Sequence, residues 1–411
     1  MNQRLAMLYW IPLLFFCASG WAADAVDRRI DAAITDHALP MALGENGLSG
    51  AGAERLISQG ERAAFFALGE SHLNNETPAL TKALLTELKP AGYDVLAIET
   101  GPLIAEHAEA LLRSGQRDEL AGLFARVPFT AAFIYHTPEF ALVEHAVDLD
   151  YQLWGLDQVF AGGARFNLGR LVEIAPDDEA RKLAAAALER ANRGFARFVE
   201  SGDSSVGFLQ SATEADYDTL RAAFPKSREA RRIIDELAAS SLVYQLYAAG
   251  ENYRSNHERI ALMKRHLAER LRETDPGTKV FMKFGSVHMQ RGYSPLNQLD
   301  LGNAAAELGV LRGGGSLHVK VTALGSRGLD GEFADWTESS TWLKRFEAAM
   351  PGESEWALFD LRPLRPIFHD SENAVGRESL AELVWGYDLL VVARSFTRSE
   401  PLPGVPSLPG S

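Results

Sequence analysis

Apolar runs rich in Ala, Val, Leu and Phe recur along the chain at wide intervals. Four are short and bounded by polar or turn residues: "AAFFALGE" (63–70), "YDVLAIET" (93–100), "YQLWGLDQ" (151–158) and "KVFMKFGSVH" (279–288). Runs of this length without alternation predict strands buried on both faces, as in a parallel sheet. Between the first two, "TPALTKALLTELKPAG" predicts a helix with Thr77 as N-cap, Pro78 in the first turn and "KPAG" as the stop. The three segments predict a βαβ unit whose two strands are parallel neighbours.

From about 165 to 275 the period changes to helical, in "DDEARKLAAAALERANRGFARFVES", "SREARRIIDELAASSLVYQLYAAG" and "NYRSNHERIALMKRHLAERLRET". No strand pattern interrupts these residues, which predicts a helical insertion that either roofs a cleft or forms a structural layer. Beyond 300, "GSLHVKVTALG", "WALFDLRPL" and "YDLLVVARSF" predict strands, and "TESSTWLKRFEAAM" predicts a helix between the first two. The fold class is therefore α/β: a central, mainly parallel sheet flanked by helices, with a long helical insertion and a smaller C-terminal α/β portion, residues 301–398, completing the domain of 23–300. The Pro-rich end, 399–411, predicts a disordered tail.

The N-terminus changes the picture of where the protein works. Arg4, an apolar stretch from Leu5 to Cys17, then Gly20 and Ala22 have the layout of a secretory signal peptide cleaved after Ala22. The apolar stretch is short for a membrane span of about 20 residues. The expectation is a periplasmic or secreted protein with no stable membrane anchor after the signal is removed. Cys17 is the single cysteine and lies in that segment, so the mature chain would have no disulfide, thiol nucleophile or cysteine-based zinc site. The formal charge of −14, with no basic run, argues against a nucleic-acid partner and leaves a small molecule or a peptide as substrate.

In a parallel α/β sheet, ligands bind beyond the carboxyl ends of the strands. There the first run ends on Glu70 and His72, the second on Glu99, the third on Asp157 and the fourth on His288. A carboxylate directly after "FFALG" or "VLAI" is costly to desolvate without a partner. Two imidazoles and up to three carboxylates at one sheet edge suit two chemistries. Together they can bind a divalent metal such as Mn, Co or Zn and lower the pKa of its water. Alternatively, a carboxylate-poised histidine can deprotonate water directly. His72, His288, Glu70 and Glu99 are the candidates in either role, and both roles end in hydrolysis. Gly69 and Gly285 fit a sharp turn at each strand end. Ser71 and Ser286 lack the Gly-x-Ser-x-Gly frame of a serine hydrolase.

Tyr135, Glu139, Asp157, Arg259 and Glu76 are candidate substrate contacts. Lys283 either supports the site or faces solvent. His107, His136, His145, His257 and His266 are expected on solvated helical surface.

"LGESH", "AIET", "WGLDQ" and "KFGSVHMQRG" together resemble the erythromycin esterase and ChaN-like superfamily, to which the TIKI and TraB proteins look related, over residues 60–295. The resemblance implies His72 and His288 as paired motif histidines, Glu70 as the adjacent carboxylate and Glu99 as the second-strand glutamate. It implies three activities by branch: water activation by histidine and glutamate without an obligatory metal in the esterases, metal-dependent peptidase activity in the TIKI branch, and haem binding without catalysis in the ChaN branch. The esterases place two residues between motif glutamate and histidine, whereas Ser71 alone separates Glu70 from His72. The expectation is an exported hydrolase acting on an ester or peptide bond, with a haem- or metal-binding protein as the alternative.

Overall fold

The computed structural model describes residues 12–44 and 47–406, without side chains for 12–23 and Ser204. Twelve strands are present among them: β1 Ala38–Gly44, β2 Gly47–Ser49, β3 Phe65–Glu70, β4 Tyr93–Ile98, β5 Gln152–Gly155, β6 Lys279–Gly285, β7 Ser316–Ala323, β8 Gly325–Arg327, β9 Phe333–Asp335, β10 Trp356–Asp360, β11 Leu389–Ala393 and β12 Phe396–Thr397. Nine form one sheet in the order β2-β1-β10-β11-β7-β3-β6-β4-β5, and β12-β8-β9 form a small second sheet. From β11 to β5 all neighbours are parallel. The antiparallel pairs lie on the other flank, where β10 joins β11 and β1, and β1 joins β2.

The uninterrupted apolar runs have a physical cause: both faces of the sheet are covered. Phe66, Leu68, Leu96, Phe281 and Val319 point into one core, and Phe65, Ala67, Val95, Val280 and Met282 into the other. Phe66 and Phe281 stack at 4.6 Å between ring centroids. Each of these buried Phe, Leu, Val and Met side chains contributes about 1.5–3 kcal/mol.

The βαβ prediction needs one correction. β3 and β4 are parallel and joined by the helix Glu76–Leu88, but they are not neighbours, because β6 lies between them. β6 enters the chain only after the helical insertion, so sequence order conceals the pairing. The helix start also differs: the helix begins at Glu76 with Asn75 as N-cap, and Thr77 lies inside it, its N–H donating to Asn74 Oδ1 at 2.7 Å.

The insertion holds Gly163–Glu173, Asp178–Ser201, Glu214–Ala223, Arg228–Ala248 and Asn252–Arg272, with a core of its own around Leu168, Ile233, Ile234 and Leu237. At the N-terminus the helix Pro12–Asp36 extends past the expected cleavage point. Ile30 and Ile34 are buried in the sheet core, and Asp27 pairs with Arg345 and Arg377. The signal-peptide expectation falls on residues 1–11, outside the described residues, and on 12–23, whose side chains are not described.

The tail is not the loose segment its proline content predicts. Residues 399–406 are docked, with Leu402 and Val405 buried; residues 407–411 lie outside the described part.

Candidate active site

The strand order decides which residues meet. With β6 between β3 and β4, Gly285 stands beside Glu70 in register, and Lys283 stands beside Ile98, the residue before Glu99. After Gly285 the chain turns into the short helix Ser286–Met289, which brings His288 back over the strand ends.

Glu99 is the centre of the cluster and is buried. Its Oε2 accepts the Gly285 N–H at 2.6 Å and its Oε1 accepts from Arg259 Nη2 at 2.8 Å. His72 Nε2 lies 3.5 Å from Oε2, and His288 Nε2 lies 3.6 Å from Oε1. Burial opposes ionisation of Glu99, but His72, His288, Arg259 and the Gly285 N–H overcome it and hold the carboxyl down at about 2.

The two histidines are built alike. His72 Nδ1 faces Glu70 Oε1 at 3.1 Å, and His288 Nδ1 faces Asp300 Oδ2 at 3.0 Å. Carboxylates only accept, so both Nδ1 atoms carry a proton and both Nε2 atoms are turned toward Glu99. Burial works against a charged His72, but Glu99 and Glu70 outweigh it and raise its pKa above the ordinary value. Asp300 also caps the helix Leu301–Leu311 through the Leu301 N–H at 2.6 Å. That cap fixes the carboxylate behind His288.

Behind His72 lies a buried charge network. Lys283 Nζ sits 2.6 Å from both Glu70 Oε1 and Glu139 Oε1, so the lysine is buried and not facing solvent. Burial opposes the Glu70 charge, yet Lys283 and His72 keep its pKa below the ordinary value. Burial raises that of Glu139, and Lys283 offsets the effect only in part.

Two residues in the left-handed region frame His72: Leu73 at φ 63° and Phe133 at φ 63°. Both are uncommon for side chains of this size. The Phe133 ring stacks on the His72 imidazole with centroids 4.0 Å apart. Gly285 is needed for a steric reason, since a Cβ there would lie 2.7 Å from His72 Nε2.

His72, Glu99 and His288 line a cavity of about 500 Å³, together with Asp157 and Arg259. Its other walls include Ala132, Phe133 and Phe160 from the domain, and Val243, Tyr244, Tyr247, Ser255 and Asn256 from the insertion. The insertion thus forms one wall of the site.

Three predicted contacts are elsewhere, Glu139 being engaged by Lys283 behind His72. Glu76 accepts the Thr397 N–H at 2.9 Å and the Thr397 hydroxyl at 2.6 Å, and so clamps β12. Tyr135 is packed edge-on against Phe129 in the core. Two histidines expected on solvated surface are buried. His266 faces Leu156 O and Glu236, both at 2.8 Å, and His136 faces Ser399 Oγ at 2.9 Å. Asp300 and Phe133 went unassigned from sequence. An Asp before "LGNAAAELGVL" signals an N-cap, but nothing local tells that its second oxygen holds a histidine. The left-handed Phe133 has no sequence signal.

The carboxylates already have partners: Lys283 on Glu70, Arg259 and an N–H on Glu99, and a helix N–H on Asp300. The two Nε2 atoms remain as donors inside the cavity, short of the three protein ligands of a catalytic zinc site; Glu70 Oε2 is buried without a hydrogen-bond partner among the described residues, but Glu70 does not line the cavity. Among the described residues no group of three or more His, Cys, Asp or Glu is arranged to hold a metal ion.

No protein-family model matches the chain, and no curated protein matches it. Solved structures do match. One from Bacillus cereus gives a TM-score of 0.58 at 12% identity, covering 92% of this chain and 99% of the other. A succinoglycan biosynthesis protein gives 0.58 at 14%, over 92% and 99%. A mutant of the erythromycin esterase EreC in its open conformation gives 0.54 at 14%, over 84% and 94%. At these identities the likeness is one of fold, and the fold is erythromycin esterase-like.

Proposed function

We propose that the protein is an exported, metal-independent hydrolase that splits an ester by activating water between His72, Glu99 and His288. The observation that carries this reading is the convergence of two carboxylate-backed imidazoles on the two oxygens of one ionised glutamate, at the floor of a cavity. The esterase neighbour in fold supports it.

His72, the more exposed of the pair at 27% against 3%, is the general base. Its Nε2 takes a proton from water as the oxygen attacks the ester carbon. Glu70 holds the ring by Nδ1 and offsets the imidazolium charge. Glu99 orients the water and both Nε2 atoms. His288, fixed by Asp300 through Nδ1 and entering the step with a second proton on Nε2, is placed to protonate the departing alkoxide. The gaps of 3.5 and 3.6 Å exceed direct hydrogen bonds and suit groups that share a third partner.

Purified protein on an ester panel, with a peptide panel beside it, tests this. The expectation is ester turnover that survives a chelator and falls about 10²–10⁴-fold in His72→Asn, Glu99→Gln and His288→Asn. Turnover abolished by the chelator and restored by Mn, Co or Zn would place the reaction in a metal-dependent class. Haem uptake with no turnover on either panel would sink the hydrolase reading, because a histidine must leave Glu99 to ligate iron.

A further inference from the structure

Hydrolysis needs more than a base: the negative charge that develops on the carbonyl oxygen needs donors aimed at it. Of the donors near the cluster, most are already engaged. The Gly285 N–H is spent on Glu99, and the Lys283 ammonium on Glu70 and Glu139. Among the described residues that line the cavity, Arg259 is the only lysine or arginine.

One edge of its guanidinium is held by a fork. Nε donates to Asp157 Oδ1 at 2.9 Å, and Nη2 donates to Asp157 Oδ2 at 2.6 Å and to Glu99 Oε1 at 2.8 Å. A planar guanidinium fixed along that edge cannot rotate, so its remaining nitrogen has a set direction. Nη1, with two N–H bonds, meets no hydrogen-bond acceptor among the described residues, while the side chain keeps 22% of its surface in the open. An arginine tied at one edge and open at the other, in the same cavity as the general base, is a preorganised donor.

We propose that the Nη1 edge of Arg259 receives the substrate's carbonyl oxygen and holds the oxyanion, and that Asp157 is the residue that positions it. The assignment rests on the ester-hydrolase reading above. As the water oxygen bonds to the ester carbon, its proton passes to His72 Nε2 and the C=O π pair moves onto the oxygen at Nη1. Collapse re-forms the C=O bond and breaks the bond to the alkoxide, which takes a proton from His288. The proton left on His72 Nε2 then passes through solvent to His288 Nε2, which restores the pair, and the products are a carboxylic acid and an alcohol.

The test compares Arg259→Gln, Arg259→Lys and Asp157→Asn with the full-length protein, reading kcat and KM on an ester from the panel, thermal midpoint, and affinity for an alkylphosphonate that mimics the tetrahedral oxyanion. Loss of one such donor lowers kcat about 10²–10³-fold. Arg259→Gln should show that fall with little change in KM, and phosphonate affinity should fall in parallel. Asp157→Asn should fall less. Arg259→Lys keeps the charge and its tie to Glu99, so a loss of kcat there at an unchanged thermal midpoint separates donor geometry from folding. Unchanged kcat and phosphonate affinity in Arg259→Gln, with only stability lost, would overturn the proposal. Phosphonate binding needs no turnover. If the wild-type protein cleaves no ester yet binds phosphonate through Arg259, the donor edge stands and the reaction reading fails. If phosphonate binding does not depend on Arg259, the donor edge fails whatever the panel shows.

Discussion

Gly285 and Lys283 sit two residues apart on β6, and each is required by a different kind of force. At Gly285 the force is steric. An added Cβ would meet His72 Nε2 at 2.7 Å and Glu99 Oε2 at 3.4 Å. The imidazole cannot move without giving up Phe133 or Glu70, so Gly285→Ala should cost about 10-fold or more in kcat. The fold should survive, because the clash falls on the end of a side chain; a thermal midpoint lowered as sharply as kcat would refute that account. At Lys283 the force is electrostatic. Removing the ammonium leaves Glu70 and Glu139 facing each other without compensation, so Lys283→Met should lose about 3–5 kcal/mol in chemical denaturation. Glu139→Gln should lose markedly less, since burial already pushes that carboxyl toward its neutral form. Equal losses in the two variants would mean that the charges do not decide the stability. That His72, Glu70, Glu99, Asp157 and His288 meet at one sheet edge was legible in sequence because each follows an apolar run, where an ionisable group is costly to bury without a partner. The burial of Lys283 was not legible, because strand alternation gives two faces and only the packed helix carrying Glu139 decides between them.

At the scale of elements, the C-terminal strap is the part that composition misjudged. The Ser399 N–H donates to Leu73 O at 3.0 Å, the Thr137 N–H to Glu400 O at 2.9 Å and the Leu402 N–H to Tyr135 O at 2.8 Å. These contacts tie down the loops that carry Leu73 and Phe133, whose left-handed backbones need outside support. Proline content signals a segment without regular structure, but it does not signal whether neighbouring loops offer that segment hydrogen bonds. A chain ending at Arg398 loses these bonds and the burial of Leu402 and Val405. It should show faster hydrogen exchange at residues 71–76 and 129–137, with a lower kcat. Exchange confined to the cut end would show that the strap only covers the surface. The strand sequence was legible for β3 to β7, β10 and β11, whose apolar runs are unambiguous. The placement of β6 between β3 and β4 was not, since pairing across a helical insertion leaves no local trace.

For the whole molecule, pH dependence separates two buried histidines of opposite sense. His266 faces acceptors on both ring nitrogens. Burial works against its charge, but Glu236 and Leu156 O overcome that and raise its pKa. Its contribution to stability is therefore full below about 6.5, the unfolded value, and is lost as pH rises through the folded value. His318, on β7, is the reverse. Burial, and Arg291 after it, push it down to about 4, while Met289 O and Asp388 oppose the shift and Arg365 reinforces it. Ser316 Oγ at 2.9 Å and Met289 O at 2.7 Å face its two nitrogens. A depressed histidine contributes stability above its unfolded pKa and loses it as pH falls, here between about 6.5 and 4. A displacement of this size is worth on the order of 3 kcal/mol. The wild-type urea midpoint should therefore fall steadily over that window, and His318→Gln, which cannot take up the proton, should fall less. Parallel slopes would remove His318 as the acid-sensitive group. Met289 O accepts from His318 Nδ1, so the added proton goes on Nε2, which faces Ser316 Oγ, and its cost falls on the stability of the sheet that carries the site. His72, whose pKa is raised, takes up its proton above that window, so activity lost between about 6.5 and 4 should track the fall in stability.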